Sequence, residues 1–291
     1  MAIAVTGATG RLGRHTVEAL LGRGVPASQI VATGRDTDKI KDLADRGVTV
    51  RRADFADSDS LEAAFAGADR LLLVSTTTPG ERFANHRRAI DAAKAAGVSH
   101  VVYTSMVNAD SARVILADSH RETERHLRAA GVPFTILRNG WYLDNYTSLL
   151  PLYRQNGGIP GAAGEGRVSA ATIADHAEAA AAVLAADGHV GAVYELGGDE
   201  AFTLTELAAR VSAATGESVV YRDLAVDAYE AVLTGGGVPQ DFAEAIADAD
   251  LGLARGELRT DSGDLRRLLG RPTTTLDEAI AAALAEPPHS S

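Results

Sequence analysis

Short apolar runs alternate with amphipathic stretches through the first half of the chain, and this alternation predicts strands separated by helices. Ala2 to Thr6, Gln29 to Gly34, Val48 to Arg52, Leu71 to Val74, His100 to Thr104 and Phe134 to Leu137 read as strands. A helix is expected from Arg11, with Leu12, Val17, Leu20 and Leu21 on its apolar side. Others are expected over Thr37 to Arg46, around Leu61 to Phe65, over Glu81 to Ala96 and over roughly Ser119 to Ala130. Unbroken apolar strands such as Leu71 to Val74 suit a sheet covered on both faces. Right-handed crossovers then give an α/β fold with a doubly wound, Rossmann-like parallel sheet, most simply in the order 3-2-1-4-5-6.

The second half has a different texture. Gly157 to Gly166 is rich in glycine and is expected to be a loop, Thr172 to Ala186 an alanine-rich helix, and Val193 to Leu196 a last strand. Thr203 with Glu206, and Thr275 with Glu278, have the spacing of capping boxes. Helical patterns near Asp227 to Leu233 and Gln240 to Leu253 are separated by Gly235, Gly236 and Gly237. The expected division is a dinucleotide-binding domain over 1–150, its sheet completed by 190–198, and a smaller, mostly helical substrate-side lobe over 151–291.

The first candidate site is the turn between the first strand and the first helix. Gly7 suits a tight turn, Gly10 leaves room for phosphates, and Gly13 lets the helix approach the sheet; the open helix N-terminus then attracts an anion. The spacing is Gly-x-x-Gly-x-x-Gly rather than Gly-x-Gly-x-x-Gly, and its position between strand and helix is what gives it weight. Arg35 follows the second strand, where an acidic residue would accept ribose hydroxyls and a basic one accommodates a 2′-phosphate. NADPH is therefore favoured over NADH, with Lys39 and Arg11 as supplementary charge. Asp54 and Phe55, after the third strand, are placed to meet an adenine, and Asp57 or Ser58 to cap the next helix. Ser75, Thr76, Thr77 and Thr78 end the fourth strand, where ligands bind in such sheets.

A second stretch, Arg138 to Tyr146, leaves the sixth strand. Trp141, the one tryptophan, and Tyr142, Tyr146 and Tyr153, three of the seven tyrosines, fall close together. They are expected to form a flat apolar slot for an aromatic ring, with Asn139 and Asn145 as polar contacts. An aromatic plug joining the sheet to the second half is the structural alternative.

Composition narrows the classes. Hydrophobic residues make up 46% and charged residues 23%, as in ordinary globular proteins. The absence of cysteine removes disulfides and thiolate metal sites, and a cytoplasmic location is expected. No metal site, membrane span or leader peptide is expected. The net charge of −11 is unevenly spread: residues 1–145 hold 19 Lys and Arg against 17 Asp and Glu, and the remainder 9 against 22. The nearly neutral half is the one that suits an anionic cofactor, and nucleic acid is disfavoured as a partner. A homodimer is left open.

Thr6-Gly7-Ala8-Thr9-Gly10-Arg11-Leu12-Gly13, Arg35, Tyr103-Thr104-Ser105, Arg138-Asn139-Gly140-Trp141-Tyr142 and Pro272-Thr273-Thr274-Thr275-Leu276 together resemble the NmrA-like atypical short-chain dehydrogenases. The resemblance implies an NADPH-preferring oxidoreductase acting on small-molecule quinones. It implies that Gly7, Thr9, Gly10, Arg11, Leu12 and Gly13 hold the pyrophosphate and Arg35 the 2′-phosphate. Ser75, Thr76, Thr77, Asn139, Gly140, Trp141, Tyr142 and Asn145 would then place the ribose and nicotinamide, and Trp141 and Tyr146 the acceptor. Ordinary short-chain dehydrogenases carry Tyr-x-x-x-Lys on the helix after strand five. Here that region offers His120 and Glu124 instead. Quinone reduction tolerates the difference, because a quinone accepts hydride readily; His120 is then the candidate to donate a hydrogen bond or proton. A non-enzymatic redox sensor and a reductase of another flat conjugated acceptor are the alternative readings.

Overall fold

The computed structural model describes residues 1–76 and 80–285. Its first half runs β1 (Ile3–Val5), α1 (Arg11–Gly22), β2 (Ile30–Gly34), α2 (Lys41–Asp45), β3 (Thr49–Arg52), α3 (Ser58–Phe65), β4 (Arg70–Leu73), α4 (Arg82–Ala95), β5 (His100–Met106), α5 (Ile115–Ala129) and β6 (Phe134–Asn139). Short helices α6 (Asp144–Thr147) and α7 (Leu150–Asn156) follow, then β7 (Gly158–Gly161), α8 (Ile173–Ala185) and β8 (Val193–Leu196). The rest is α9 (Leu204–Thr215), β9 (Val220–Asp223), α10 (Val226–Gly235), α11 (Gln240–Ala254), α12 (Asp264–Leu269) and α13 (Leu276–Ala285).

The main sheet has seven parallel strands in the order β3-β2-β1-β4-β5-β6-β8, which is the expected order with β8 added at the far edge. Its strands are apolar because both faces are covered. On one face α3, α4 and α5 bury Leu61, Phe65, Ile90 and Leu127 against Leu71, Leu73, Val101 and Ile136. On the other, α1 packs closely on α8, and α12 on α8 and β8. The alanines of α8 permit that approach, so that Ala179, Ala180 and Val183 share one core with Val17, Leu20, Leu265 and Leu269. The division at residue 150 thus follows the chain but not the layers: α8, β8 and α12 belong to the sheet.

Both capping boxes form. Thr203 Oγ1 accepts from the Glu206 amide and Glu206 returns the bond to the Thr203 amide; Thr275 and Glu278 do the same. Asp57, rather than Ser58, caps α3. The glycine-rich stretch 157–166 departs from expectation, because β7 lies within it and pairs in parallel with β9. The glycines are what allow this pairing: a Cβ on Gly158 would sit 2.8 Å from the Arg222 guanidinium, and one on Gly161 would sit 2.7 Å from Asp250 Oδ2. The lobe is therefore helical around a small two-stranded sheet.

Candidate active site

Strand order reverses between β1 and β4, which opens a crevice at their carboxyl ends where dinucleotides bind in folds of this kind. The glycine turn forms its floor. Gly7 has φ 63°, a conformation glycine adopts without strain, and its carbonyl accepts from the Gly10 amide at 2.9 Å. Gly10 stands at the N-cap of α1 with no side chain to cap it, so the first amides of this helix are open to an anion. Thr9 packs into the end of β2; a Cβ on Gly34 would lie 2.5 Å from Thr9 Cγ2. The absence of a side chain at Gly34 is thus what lets Thr9 of the turn pack there, a requirement that the motif alone does not reveal.

The three expected cations divide. Arg11 pairs with Asp144, whose other oxygen accepts from the Ile173 amide at 2.8 Å and so ties α1, α6 and α8 together. Lys39 pairs with Asp36 at 3.9 Å. Arg35 is exposed and has no hydrogen-bond or ion-pair partner among the described residues. Asp54 spends one oxygen on the Ala56 amide at 3.0 Å and faces Arg52 at 3.7 Å; the Phe55 carbonyl accepts from Arg88 Nε at 2.6 Å. These contacts stiffen the loop where an adenine is expected.

Across the crevice, the Ser75 amide donates to Thr104 Oγ1 and the Thr76 amide to His86 Nε2, each at 2.9 Å. Thr77 and Thr78 lie outside the described residues. At the end of β6, the Gly140 amide donates to the Leu196 carbonyl at 2.6 Å, and a Cβ there would sit 2.8 Å from that oxygen. Asn139 Nδ2 donates to the Tyr142 hydroxyl at 3.2 Å. The Tyr142 ring meets the edge of His176 at 5.2 Å between centroids, and burial lowers the pKa of that histidine to about 4. Trp141 is half-buried, and Asn145 is exposed with no side-chain partner among the described residues.

Four buried side-chain polar atoms lack a hydrogen-bond partner among the described residues: Thr76 Oγ1, Asn139 Oδ1, and both ring nitrogens of His176. Thr76 lies three residues beyond β4, Asn139 ends β6, and His176 lies against Tyr142. Because buried polar groups are nearly always paired, their grouping around one crevice fits a polar ligand that completes them.

The aromatic stretch splits between two environments. Tyr142 packs with Leu12, Ile173 and Ala177 beside the crevice, whereas Tyr146 and Tyr153 are buried in the lobe's apolar cluster, against which the half-buried Trp141 also packs. Tyr146 meets Phe202 edge to face at 6.0 Å. Its ring is part of the lobe core. Asp250 is buried in the same lobe and accepts from the Ala162 amide at 2.8 Å; burial raises its pKa to about 6. A carboxyl with a raised folded pKa contributes stability below its unfolded pKa that is lost as pH climbs through the folded one. Asp250→Asn should remove this term. Its unfolding free energy relative to wild type is expected to rise by up to about 3 kcal/mol between pH 4 and pH 7, read by urea titration. A difference that stays constant with pH would show the carboxyl is not so perturbed.

His120 is buried on α5, its Nδ1 2.7 Å from the Tyr103 hydroxyl, with His86 on the far side of that hydroxyl. Glu124, one turn on, is committed elsewhere: it accepts from Arg138 Nε at 2.9 Å, Arg138 Nη2 at 2.7 Å and Ser105 Oγ at 2.7 Å. Burial alone would lower the Arg138 pKa, but Glu124, Glu195 and Asp110 more than offset it, so the guanidinium stays charged. Sequence marks Tyr103 only as part of the Tyr103-Thr104-Ser105 motif, and His86 by no motif at all; their meeting with His120 depends on the packing of α4, β5 and α5.

A glycine turn at the switch point of a parallel sheet, an arginine after β2 without a partner among the described residues and unsatisfied polar groups across the crevice are the features of a dinucleotide-binding fold of short-chain dehydrogenase type. The chain belongs to the NmrA-like family, whose model matches residues 1–266. It is 47% identical to Quinone oxidoreductase 2 of Escherichia coli over 96% of this chain and 97% of that protein. The crystal structure of the E. coli NADPH-dependent quinone oxidoreductase QOR2 complexed with NADPH superposes with a TM-score of 0.94 at 46% identity, covering 97% of this chain and 99% of that one. The Citrobacter sp. triphenylmethane reductase complexed with NADP(H) follows at 0.92 and 37%, covering 97% and 100%. Among the described residues no helix is long and apolar enough to cross a membrane, and no cluster of ligands could hold a metal.

Proposed function

We propose that the protein reduces quinones with NADPH by direct hydride transfer. The observation that carries this reading is the crevice itself, whose rim gathers the open amides of α1, an Arg35 without a partner among the described residues and the unsatisfied Thr76, Asn139 and His176, a set that a dinucleotide would complete. Its likeness to quinone reductases across both lobes supports the choice of acceptor. When bound, NADPH supplies the hydride. The chain's own part is placement: the first turn of α1 holds the pyrophosphate and Arg35 the 2′-phosphate. Thr76 and Asn139 orient the ribose and nicotinamide, and Trp141 and Tyr142 bound the space for a flat acceptor. His120 is the hydrogen-bond donor for the acceptor oxygen, and the final proton comes from water.

Loss of NADPH absorbance on mixing with a panel of benzoquinones and naphthoquinones tests the reading. Turnover distinguishes an enzyme from a dinucleotide-binding sensor, and no turnover across the panel rejects the proposal. Triphenylmethane dyes belong in the same panel, since a reductase of those dyes shares the fold. Arg35→Ala is expected to weaken NADPH by about 10- to 100-fold while leaving NADH within a factor of about three, because a charge-assisted phosphate contact contributes roughly 1.5–3 kcal/mol. Equal losses for both cofactors would remove Arg35 from the phosphate site.

A further inference from the structure

Donors and acceptors around His120 can be assigned one after another. The Thr76 backbone amide donates to His86 Nε2 at 2.9 Å, so this nitrogen carries a lone pair. Burial, helped by the Arg82 charge, lowers the His86 pKa to about 3; the ring is neutral and its single proton is on Nδ1. That N–H points to Thr123 Oγ1 at 2.9 Å and to the Tyr103 hydroxyl at 3.3 Å. Thr123 gives its own proton to the Ser119 carbonyl at 2.7 Å, which makes it an acceptor toward His86. Tyr103 therefore has no acceptor in His86. Two side chains are then left for its O–H: Thr123 Oγ1, which already takes the His86 N–H, and His120 Nδ1 at 2.7 Å. The reverse arrangement, with His120 Nδ1 donating, would leave the buried tyrosine O–H only the already engaged Thr123 oxygen, and a buried donor left unpaired costs about 1–3 kcal/mol.

We propose that Tyr103, its hydroxyl directed by His86, is a positioning residue that fixes His120 as the Nε2–H tautomer and so presents an N–H to the acceptor oxygen. The proposal rests on quinone reduction as the function. Burial and the Arg82 charge also hold His120 neutral, its pKa well below the usual histidine value. His120 Nε2 has no hydrogen-bond partner among the described residues. The group is fastened to the crevice through Thr76, whose amide binds His86 and whose carbonyl accepts from Arg82 Nε at 2.7 Å. The same guanidinium donates to Ser119 Oγ on α5 at 3.2 Å. Arg82 and His86 face His120 from α4 and Tyr103 faces it from β5. On its own helix the acid one turn on, Glu124, is bound to Arg138, and Asp118 to Arg121.

Hydride addition gives the quinone an electron pair and leaves a hydroquinone oxyanion. The His120 Nε2–H stabilises that oxygen by hydrogen bonding, and water supplies the proton that completes the hydroquinone. Because the donor is a neutral imidazole, turnover should not follow a histidine titration between pH 6 and pH 8.

Long-range ¹H–¹⁵N spectra of the full-length, ¹⁵N-histidine-labelled protein read the tautomer directly. Wild type should show His120 protonated at Nε2 and unprotonated at Nδ1 throughout pH 6–8. Tyr103→Phe keeps the ring in the core. It should shift His120 to a mixture of tautomers and lower kcat with benzoquinone by about 10- to 100-fold, with the KM for NADPH unchanged. His120→Ala should lose a similar factor, and the double variant little more. A wild-type spectrum with Nδ1 protonated, or Tyr103→Phe with wild-type kcat, overturns the proposal while quinone turnover stands. A wild type that binds NADPH but reduces no quinone is instead a failure of the functional reading. Should Tyr103→Phe not fold, the wild-type spectrum decides alone.

Discussion

Gly13→Ala is expected to abolish NADPH binding at concentrations that saturate the wild type. A Cβ at this position would lie 2.4 Å from the Gly7 carbonyl oxygen and 2.8 Å from that of Thr6. Both are backbone atoms of the turn, which no rotamer change can clear. Helix α1 must lift from the turn, and its first amides then no longer converge on the pyrophosphate. We expect a loss of affinity above about 100-fold and about 1–3 kcal/mol of stability, the usual cost of overpacking. Gly10→Ala separates the two effects. Its Cβ would meet the Gly7 oxygen at 3.4 Å, so the fold should survive while the phosphate space is filled. Gly22→Ala, with nothing within 4 Å, should leave binding intact and stabilise α1 by roughly 0.5–1 kcal/mol. Calorimetric titration with NADPH checks all three; near-normal affinity in Gly13→Ala would dissociate the close approach from cofactor binding.

Glu124→Ala is expected to cost about 3–5 kcal/mol, the largest loss of stability for any single side chain named here. The variant strips Arg138 of its two-pronged partner in a site where both side chains are buried. Glu195 and Asp110 remain, at 2.9 and 2.7 Å, but lie on the more exposed side of the guanidinium. Ser105 loses its acceptor as well. Replacing both partners together, as in Glu124→Leu with Arg138→Met, should recover most of the loss, since neither fully buried charge is then left stranded; Glu195 keeps the Asn108 amide and Asp110 is open to water. Urea unfolding of the three proteins decides the matter. A cost below about 1 kcal/mol for Glu124→Ala would mean the remaining carboxylates suffice.

The parts of this molecule that could be read from sequence are those whose chemistry is local. A buried parallel strand must be apolar along its length, so β1, β4 and β5 announce themselves, and the helices between them fix the sheet order. The glycine turn and Arg35 are legible because a dinucleotide imposes residue types at set distances from a strand end. What escaped depends on contacts between distant segments. His86, Tyr103 and His120 are each 17 residues apart, a spacing with no helical or strand period, and meet only because β5 runs between α4 and α5. Tyr142 and Tyr146 read as one aromatic group, yet the turn into α6 leaves Tyr142 beside the crevice and carries Tyr146 into the lobe core. The short pair β7 and β9 escaped for a further reason. Gly158 and Gly161 are there to make room for Arg222 and Asp250, and an isolated sequence shows the glycines without the groups they accommodate.

The packing of α8 over α1, and of α12 over α8 and β8, bears on how the chain is made. Leu265 and Leu269 share a core with Val17 and Leu20, so the cofactor half cannot seal when its last consecutive strand, β6, leaves the ribosome. At about 5–20 residues per second, roughly 6 to 25 seconds of synthesis separate β6 from α12. Helix α1 finds part of its cover in β1, β2 and α2 of its own half and the rest in α8, so the surface exposed longest during synthesis is that of α8 and β8, which waits for α12.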